Sequence, residues 1–256
     1  MALELAVIPC LSDNYAFLLH DAGTGATALI DIPETQPIER ALTARGWSLS
    51  EIWITHHHDD HVQGLDGLLE QHPGVPVVGA AADAHRLPPL DRQVSDGDRF
   101  DFAGHGVQVF DVSGHTMGHV AFYVADAGAA FTADSLMALG CGRLFEGDAE
   151  TMWNSLGKLV ALPPETLICS GHEYTETNAR FALTIEPDNA ALIERAASVR
   201  QDRAMQVPTV PSTLADEQAT NPFLRAHLPE VKAHLSMQGA SDAEVFAEIR
   251  ARKDRF

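Results

Sequence analysis

The sequence predicts a mixed α/β domain over residues 1–172, followed by an all-helical region over 173–256. Two observations carry that division. Short apolar runs separated by turn residues recur as far as Cys169, and four of them lead directly into a residue that can bind a metal. After about residue 173 the strand signals stop, and helical spacing, prolines and capping residues take over. A chain of 256 residues is long enough for one large domain with an appendage.

Taken in order, residues 3–9 and 15–20 read as paired strands across the turn-forming Ser12-Asp13-Asn14. Ala26 to Asp31 is a third strand, ending in Asp31-Ile32-Pro33. Thr35 to Arg45 has helical character, and Gly46 supplies its stop. Glu51 to Thr55 alternates polar and apolar side chains as a strand does. Val62 to Gln71, apolar at 62, 65, 68 and 69, starts a helix. Val75 to Gly79 is a short buried strand, and 80–99, rich in Pro, Asp and Arg, reads as loop with a short helix. Strands are expected at Val107 to Val112, Val120 to Val124, Ala129 to Ala133 and Leu167 to Cys169. Beyond them lie helices over Asn189 to Met205, Ser212 to Ala219 and Pro229 to Met237, with a Pro-rich hinge at 207–211 and a break at Asn221-Pro222-Phe223. The final helix opens at Ser241-Asp242-Ala243-Glu244, a capping box, with Val245, Phe246 and Ile249 as its apolar stripe.

Composition narrows the function. A net charge of −19 argues against general nucleic-acid binding and makes a local basic cluster informative. No apolar run approaches the ~18 residues of a membrane span. Met1-Ala2-Leu3-Glu4 has neither a positive segment nor a cleavage pattern. Three cysteines with no CxxC pair fit a reduced, cytoplasmic protein, expected to act as a monomer.

The chemistry centres on Thr55-His56-His57-His58-Asp59-Asp60-His61, in which six of seven residues can ligate a metal. A surface polyhistidine run is the plain alternative, but it leaves the remaining ligand residues unexplained. In extended chain His56 and His58 point the same way, while the adjacent Asp60 and His61 face a second point. His57 and Asp59 then turn elsewhere. His115, Asp134 and His172 each follow a strand, and strands sharing a sheet edge bring such residues to one rim. One metal takes His56, His58 and His115, and a second takes Asp60, His61 and His172, with Asp134 bridging. Imidazole with carboxylate suits zinc, and also iron or manganese. A water held between two such ions becomes hydroxide near neutral pH, which points to hydrolysis of an activated carbonyl or phosphoester. Asp60 can orient that nucleophile as well as bind metal. No Gly-x-Ser-x-Gly elbow or nucleophilic cysteine motif competes with this reading.

Thr-His-x-His-x-Asp-His at 55–61, Gly-His-Thr at 114–116, Asp134 and Gly-His at 171–172 resemble the metallo-β-lactamase superfamily, which implies an αββα sandwich with metals at one edge. Ser12-Asp13-Asn14-Tyr15, Cys141 to Gly147, Gly171 to Thr175, Asn221-Pro222-Phe223 and Arg250-Ala251-Arg252-Lys253-Asp254 resemble one family within it, the glyoxalase II (hydroxyacylglutathione hydrolase) family. That resemblance implies hydrolysis of the thioester S-D-lactoylglutathione to D-lactate and glutathione. It also implies that Arg143, Phe145, Tyr174, Arg250 and Lys253 contact the glutathione part. The chain departs from the family pattern at Asp59, often aromatic there, and at Phe145, often Tyr, which removes a hydroxyl. The alternative is a glutathione persulfide dioxygenase of the same superfamily, using a single iron. Lactam, lactone or RNA hydrolysis ranks below both, because the acidic charge disfavours RNA and the cytoplasmic, disulfide-free character disfavours a secreted lactamase. A zinc-stabilised interaction module ranks last, because structural zinc sites are usually closed and Cys-rich.

Overall fold

The computed structural model describes residues 3–256. The reading of the chain's start rests partly on Met1 and Ala2, which lie outside the described residues. Two compact units emerge, one of the described residues up to Asp111 with Met117–Ala133, the other of Val112–Thr116 with Asp134–Phe256.

The first unit begins with β1 (Leu3–Cys10), β2 (Asn14–Asp21), β3 (Ala26–Ile30), α1 (Thr35–Arg45), β4 (Ser48–Trp53), α2 (Asp59–Val62) and α3 (Leu65–Gln71). It continues with β5 (Val77–Ala80), β6 (Arg92–Val94), β7 (Arg99–Phe102), β8 (His105–Asp111), β9 (Val120–Val124) and β10 (Ala129–Ala133). Strands β1 to β6 form one sheet in chain order, antiparallel over β1, β2 and β3 and parallel from β3 onward. Strands β7 to β10 form antiparallel neighbours. Every residue of β2 is buried, as expected of an inner strand covered on both faces. Trp53, at the end of β4, sets its ring edge-on to Phe100 and Phe102 of β7 at 5.4 and 5.5 Å, and lies 5.4 Å from Phe122 of β9. These contacts bring the two sheets of this unit face to face, and Phe17 and Phe131 add a second contact at 5.8 Å. Helix α1 buries Ile38, Ala41 and Leu42 and ends at Gly46, whose φ of 66° suits the left-handed stop that glycine permits.

Two local expectations change here. Residues 80–99, read as loop with a short helix, contain that helix as a 3-10 turn at Ala81–Asp83, but also β6 and the start of β7. Arg92 and Gln93 are exposed, so β6 owes its strand conformation to pairing with Val78 and Gly79 rather than to its own pattern. The helix read from Val62 starts at Asp59 and breaks near Gly64. There a Cβ would stand 2.9 Å from the Ile32 carbonyl oxygen, so two backbones approach where only glycine fits.

The second unit contains β11 (Leu136–Met137), β12 (Gly140–Cys141), α4 (Ala149–Val160), β13 (Leu167–Ser170), α5 (Thr175–Ile185) and α6 (Ala190–Ala204). After them come β14 (Ser212–Thr213), α7 (Leu214–Thr220), α8 (Pro229–His234) and α9 (Asp242–Arg255). Strand signals were expected to end near 173, yet β14 pairs antiparallel with β13. At two residues it is too short to show alternation. Helix α7 therefore starts at Leu214 rather than Ser212, capped by the Thr213 side chain. The capping box of α9 forms as expected: Glu244 N donates to Ser241 Oγ (3.3 Å) and Ser241 N donates to Glu244 Oε2 (2.7 Å). Its stripe of Val245, Phe246 and Ile249 is buried.

A buried carboxylate organises this unit. Glu217 accepts from Leu139 N (2.8 Å), Asn221 Nδ2 (3.0 Å) and Ser212 Oγ (2.6 Å), and pairs with Arg195. Asn221 Nδ2 also donates to the carbonyls of Met137 (3.1 Å) and Gly140 (2.9 Å). Asn221 is thus more than a helix breaker, because it ties the β11–β12 hairpin to the helices behind it. That hairpin runs straight into the 142–147 segment, where the chemistry of this unit begins.

Candidate metal centre

In the first unit the donors stand on the loop after β4, and Asp31 at the end of β3 sets their orientation. Thr55 N donates to Asp31 Oδ1 and Thr55 Oγ1 to Asp31 Oδ2, both at 2.9 Å. With its single proton engaged, Thr55 Oγ1 accepts from His56 Nδ1–H at 3.0 Å, which leaves His56 Nε2 as a lone-pair donor. His61 Nδ1–H donates to the same Asp31 at 2.7 Å, which leaves His61 Nε2 equally available. His56 Nε2 and His58 Nδ1 stand 3.2 Å apart. Asp60 is steadied by Asn14 Nδ2, which donates to its carboxylate at 2.9 Å and its carbonyl at 3.1 Å. The His119 ring stacks on His56 at 4.5 Å. As expected, His57 turns away to Asp83 (2.8 Å) and Asp59 is exposed.

The second unit brings together His115, Asp134 and His172, all buried. His115 Nε2 lies 3.4 Å and His172 Nε2 lies 3.2 Å from the same Asp134 Oδ2. A carbonyl can only accept, so the 2.8 Å contact between His115 Nδ1 and the Arg143 carbonyl places the proton on Nδ1 and the lone pair on Nε2. The Tyr174 ring stacks on His172 at 4.7 Å, and Phe145, well exposed, sits 5.3 Å from the His115 ring. Arg143 lies over Phe145 at 5.9 Å and reaches Asp254 Oδ1 at 3.5 Å. Lys253 is set against the Phe181 and Phe256 rings at 5.3 and 5.4 Å. Burial, then Arg250 and Arg180, push its pKa down to about 8. Arg250, expected from the resemblance to touch substrate, is buried and donates to the Cys141 carbonyl (3.0 Å) and to Asp254 (2.7 Å).

Do these residues suit a metal? Two ligands on one tetrahedral zinc-sized ion, each bonded at about 2.0–2.1 Å, stand roughly 3.3 Å apart. The separations found within each unit, 3.2 Å for His56 and His58 and 3.2–3.4 Å about Asp134, match that value. The orienting hydrogen bonds from Asp31, Thr55 and the Arg143 carbonyl are those that fix ligand histidines. The set fits divalent metal ions. The cysteines do not compete as nucleophiles, since burial pushes the Cys10 thiol up to about 12 and Cys141 up to about 11, and Cys169 is raised as well.

The metallo-β-lactamase superfamily model matches residues 13–172, and the hydroxyacylglutathione hydrolase C-terminus model matches 173–256. A hydroxyacylglutathione hydrolase of Roseobacter denitrificans is 66% identical over the whole of both chains. The chain belongs to the hydroxyacylglutathione hydrolase family. Membership of that family, over the full length and including the helical region, favours the hydrolase over the dioxygenase alternative. Among solved structures, ETHE1 from Myxococcus xanthus aligns over 98% of this chain and 90% of its own, at 24% identity and a TM-score of 0.66, which shows the shared fold. TTHA1623 in a di-iron-bound form aligns over 86% of this chain and 100% of its own, at 25% identity and a TM-score of 0.63. The architecture is that of the metallo-β-lactamase fold with a hydroxyacylglutathione hydrolase helical region, as the motifs implied. Among the described residues no helix is long and apolar enough to cross a membrane.

Sequence reasoning gave no role to Asp31, Asn14 or Asp254, although the last two lie within the motifs that carry the family resemblance. Asp31 had a usable signal: like Asp134, it ends a strand. Its φ of 57° and the 41° of Ala133 lie in the left-handed region, which non-glycine residues seldom enter. Replacing Asp31 with Asn keeps the shape but weakens the acceptor for both Thr55 and His61. Metal affinity, measured by chelator competition, is expected to fall roughly 10–100-fold. Unchanged affinity would mean that Asp31 does not orient the histidines.

Proposed function

We propose that the protein hydrolyses S-D-lactoylglutathione to D-lactate and glutathione, using two zinc ions. His56, His58 and His115 hold one, Asp60, His61 and His172 hold the other, and Asp134 is shared. The observation that carries this reading is the full-length identity to a hydroxyacylglutathione hydrolase. The ligand-like spacing within each unit supports the metal assignment. Residues 1–172 act as the catalytic domain and 173–256 as the substrate-binding domain.

When bound, the ions lower the pKa of a water toward neutrality and polarise the thioester carbonyl. The protein's own groups do the rest. Asp31 and Thr55 align His61 and His56 by accepting from Nδ1, which leaves each Nε2 facing the site. Asn14 holds the Asp60 carboxylate so that it can orient the nucleophile. The leaving thiolate has a low enough pKa that a dedicated general acid is not required. Phe145 and Tyr174 present exposed rings beside His115 and His172, suited to the apolar parts of the substrate. Arg143, Arg250 and Lys253 contribute positive charge for its carboxylates in a chain whose net charge of −19 otherwise repels anions. Three buried thiols without disulfides are consistent with a reduced cytoplasmic setting, and the protein is taken to act as a monomer.

The decisive assay follows loss of thioester absorbance from S-D-lactoylglutathione, with free thiol expected to appear one for one. No hydrolysis by protein holding two metals per chain would overturn the reading. Lys253 gives a pH signature. Its charge is complete below its pKa of about 8 and is lost above it, so KM for the glutathione thioester should rise as pH passes 8. A thioester of an uncharged thiol should show no such rise. The folded state disfavours protonated Lys253, so its contribution to stability improves from about pH 8 to 10.5, the ordinary lysine value. Weakened binding above pH 8 therefore cannot be ascribed to this lysine unfolding the chain.

A further inference from the structure

The Cys141–Gly147 segment carries Arg143 and Phe145, and its backbone is held from two sides. On one side four hydrogen bonds tie it to the chain around Ser135 and His115. Gly142 N donates to the Ser135 carbonyl (3.1 Å), Phe145 N to the His115 carbonyl (3.2 Å) and Gly147 N to the Gly114 carbonyl (3.1 Å). His115 Nδ1 donates to the Arg143 carbonyl (2.8 Å). On the other side stands α9. Arg250 Nη1 donates to the Cys141 carbonyl at 3.0 Å, and its Nε and Nη2 take Asp254 Oδ1 at 3.1 and 2.7 Å. The same Asp254 oxygen reaches Arg143 at 3.5 Å.

Burying an arginine is costly unless its donors are matched, and Arg250 is matched by a carbonyl and a carboxylate. The Phe223 ring lies 5.2 Å from its guanidinium and closes another side. A guanidinium so committed acts as a bracket as well as a source of positive charge. What it holds is the strand end from which the chain passes, two residues later, to the carbonyl that orients His115.

We propose that Arg250, with Asp254, is a positioning residue for His115: it fixes the Cys141–Gly147 backbone, and through the Arg143 carbonyl sets the ring orientation of His115 and keeps its proton on Nδ1. The proposal rests on the reading of His115 as a metal ligand. Charge alone is not enough for this role, because a lysine cannot span both the Cys141 carbonyl and Asp254 with a planar fork. Helix α9 then acts on the metal centre as well as on the substrate.

The test compares Arg250→Lys and Asp254→Asn with the unaltered protein, and uses Arg252→Ala as a control for lost charge, since Arg252 pairs with Glu248 on its own helix rather than with the Cys141–Gly147 segment. Each protein is stripped of metal and titrated with cobalt(II) while its visible spectrum is recorded. Turnover of an S-lactoyl thioester of a short uncharged thiol is measured alongside. The expected result for Arg250→Lys is an altered cobalt spectrum with 10–100-fold weaker binding of one of two ions, and a fall of about 10-fold or more in kcat for the short thioester. Asp254→Asn should shift both in the same direction by less. Arg252→Ala should move neither. If Arg250→Lys leaves the cobalt titration and the short-thioester rate unchanged and only raises KM for the glutathione thioester, Arg250 serves the substrate alone and the proposal fails. Arg250→Lys retains the buried charge, and circular dichroism of the metal-free protein establishes that it folds. Should it not fold, Asp254→Asn alone decides by the same two readouts. The cobalt arm does not depend on the glutathione substrate, so failure of the proposed reaction and failure of this proposal are separable.

Discussion

An Asp134→Ala variant is expected to lose both turnover and the second metal together. The carboxylate is buried, and one of its oxygens lies within 3.4 Å of His115 Nε2 and 3.2 Å of His172 Nε2. Alanine removes the negative charge that, with the two converging imidazoles, would hold a cation there, and nothing in the variant side chain can replace it. The Lewis-acid contribution at stake is several kcal/mol, which corresponds to a rate loss on the order of 10³-fold. Atomic spectroscopy for metal per chain and the thioester assay measure the two effects on one sample. A variant that kept two metals and full rate would exclude Asp134 from the centre. Asp134→Asn is a useful companion, since it preserves shape and one neutral oxygen and should retain more metal than alanine does.

Gly142→Ala should be nearly as damaging, for a reason of space. A Cβ at this position would stand 1.9 Å from the Asp134 carbonyl oxygen and 2.9 Å from His115 Nδ1. Neither neighbour is the loose end of a flexible side chain, so the backbone must move. Overpacking of this kind costs about 1–3 kcal/mol, occasionally more. For a chain of this size the melting temperature falls by roughly 2–4 °C for each kcal/mol. The displacement falls on the residues that carry two proposed ligands, and misplacing catalytic groups by about 1 Å can cost on the order of 10² in rate. Wild-type melting and wild-type kinetics in Gly142→Ala would show that the segment yields without consequence, and would also weaken the bracket argued for Arg250.

The histidine-rich loop was legible because ligand residues are dense there and the strand before it alternates. His115, Asp134 and His172 were legible one at a time, each as a polar residue ending an apolar run. The hydrogen bonds that orient them were not. Asp31 supports residues 24 and 30 positions further along, and Arg250 meets Cys141 across 109 positions, distances at which spacing carries no signal. Helix α4 escaped notice although its signals were present: Asp148 accepts from Thr151 N as a cap, and Met152, Leu156 and Leu159 recur at helical spacing. Helix α5 was equally legible in principle, since its buried Asn178, Phe181, Ala182 and Ile185 recur at helical spacing. Strands β6 and β14 could not have been read from their own residues, because pairing partners alone make them strands.

The left-handed backbone at Asp31 and Ala133 bears on any attempt to make this protein more heat-resistant. A non-glycine residue held there costs about 1–3 kcal/mol, and glycine removes that cost but gives up every bond the side chain made. Selection for survival at high temperature, blind to turnover, would therefore treat the two positions differently. At Asp31 glycine would leave the buried donors of Thr55 and His61 without their carboxylate, at about 1–3 kcal/mol each, which outweighs the backbone relief. At Ala133 no side-chain hydrogen bond is lost, and the chain next to Asp134 is loosened. A screen that scores melting alone would keep Asp31 and accept Ala133→Gly, gaining stability beside the very carboxylate on which turnover is proposed to depend.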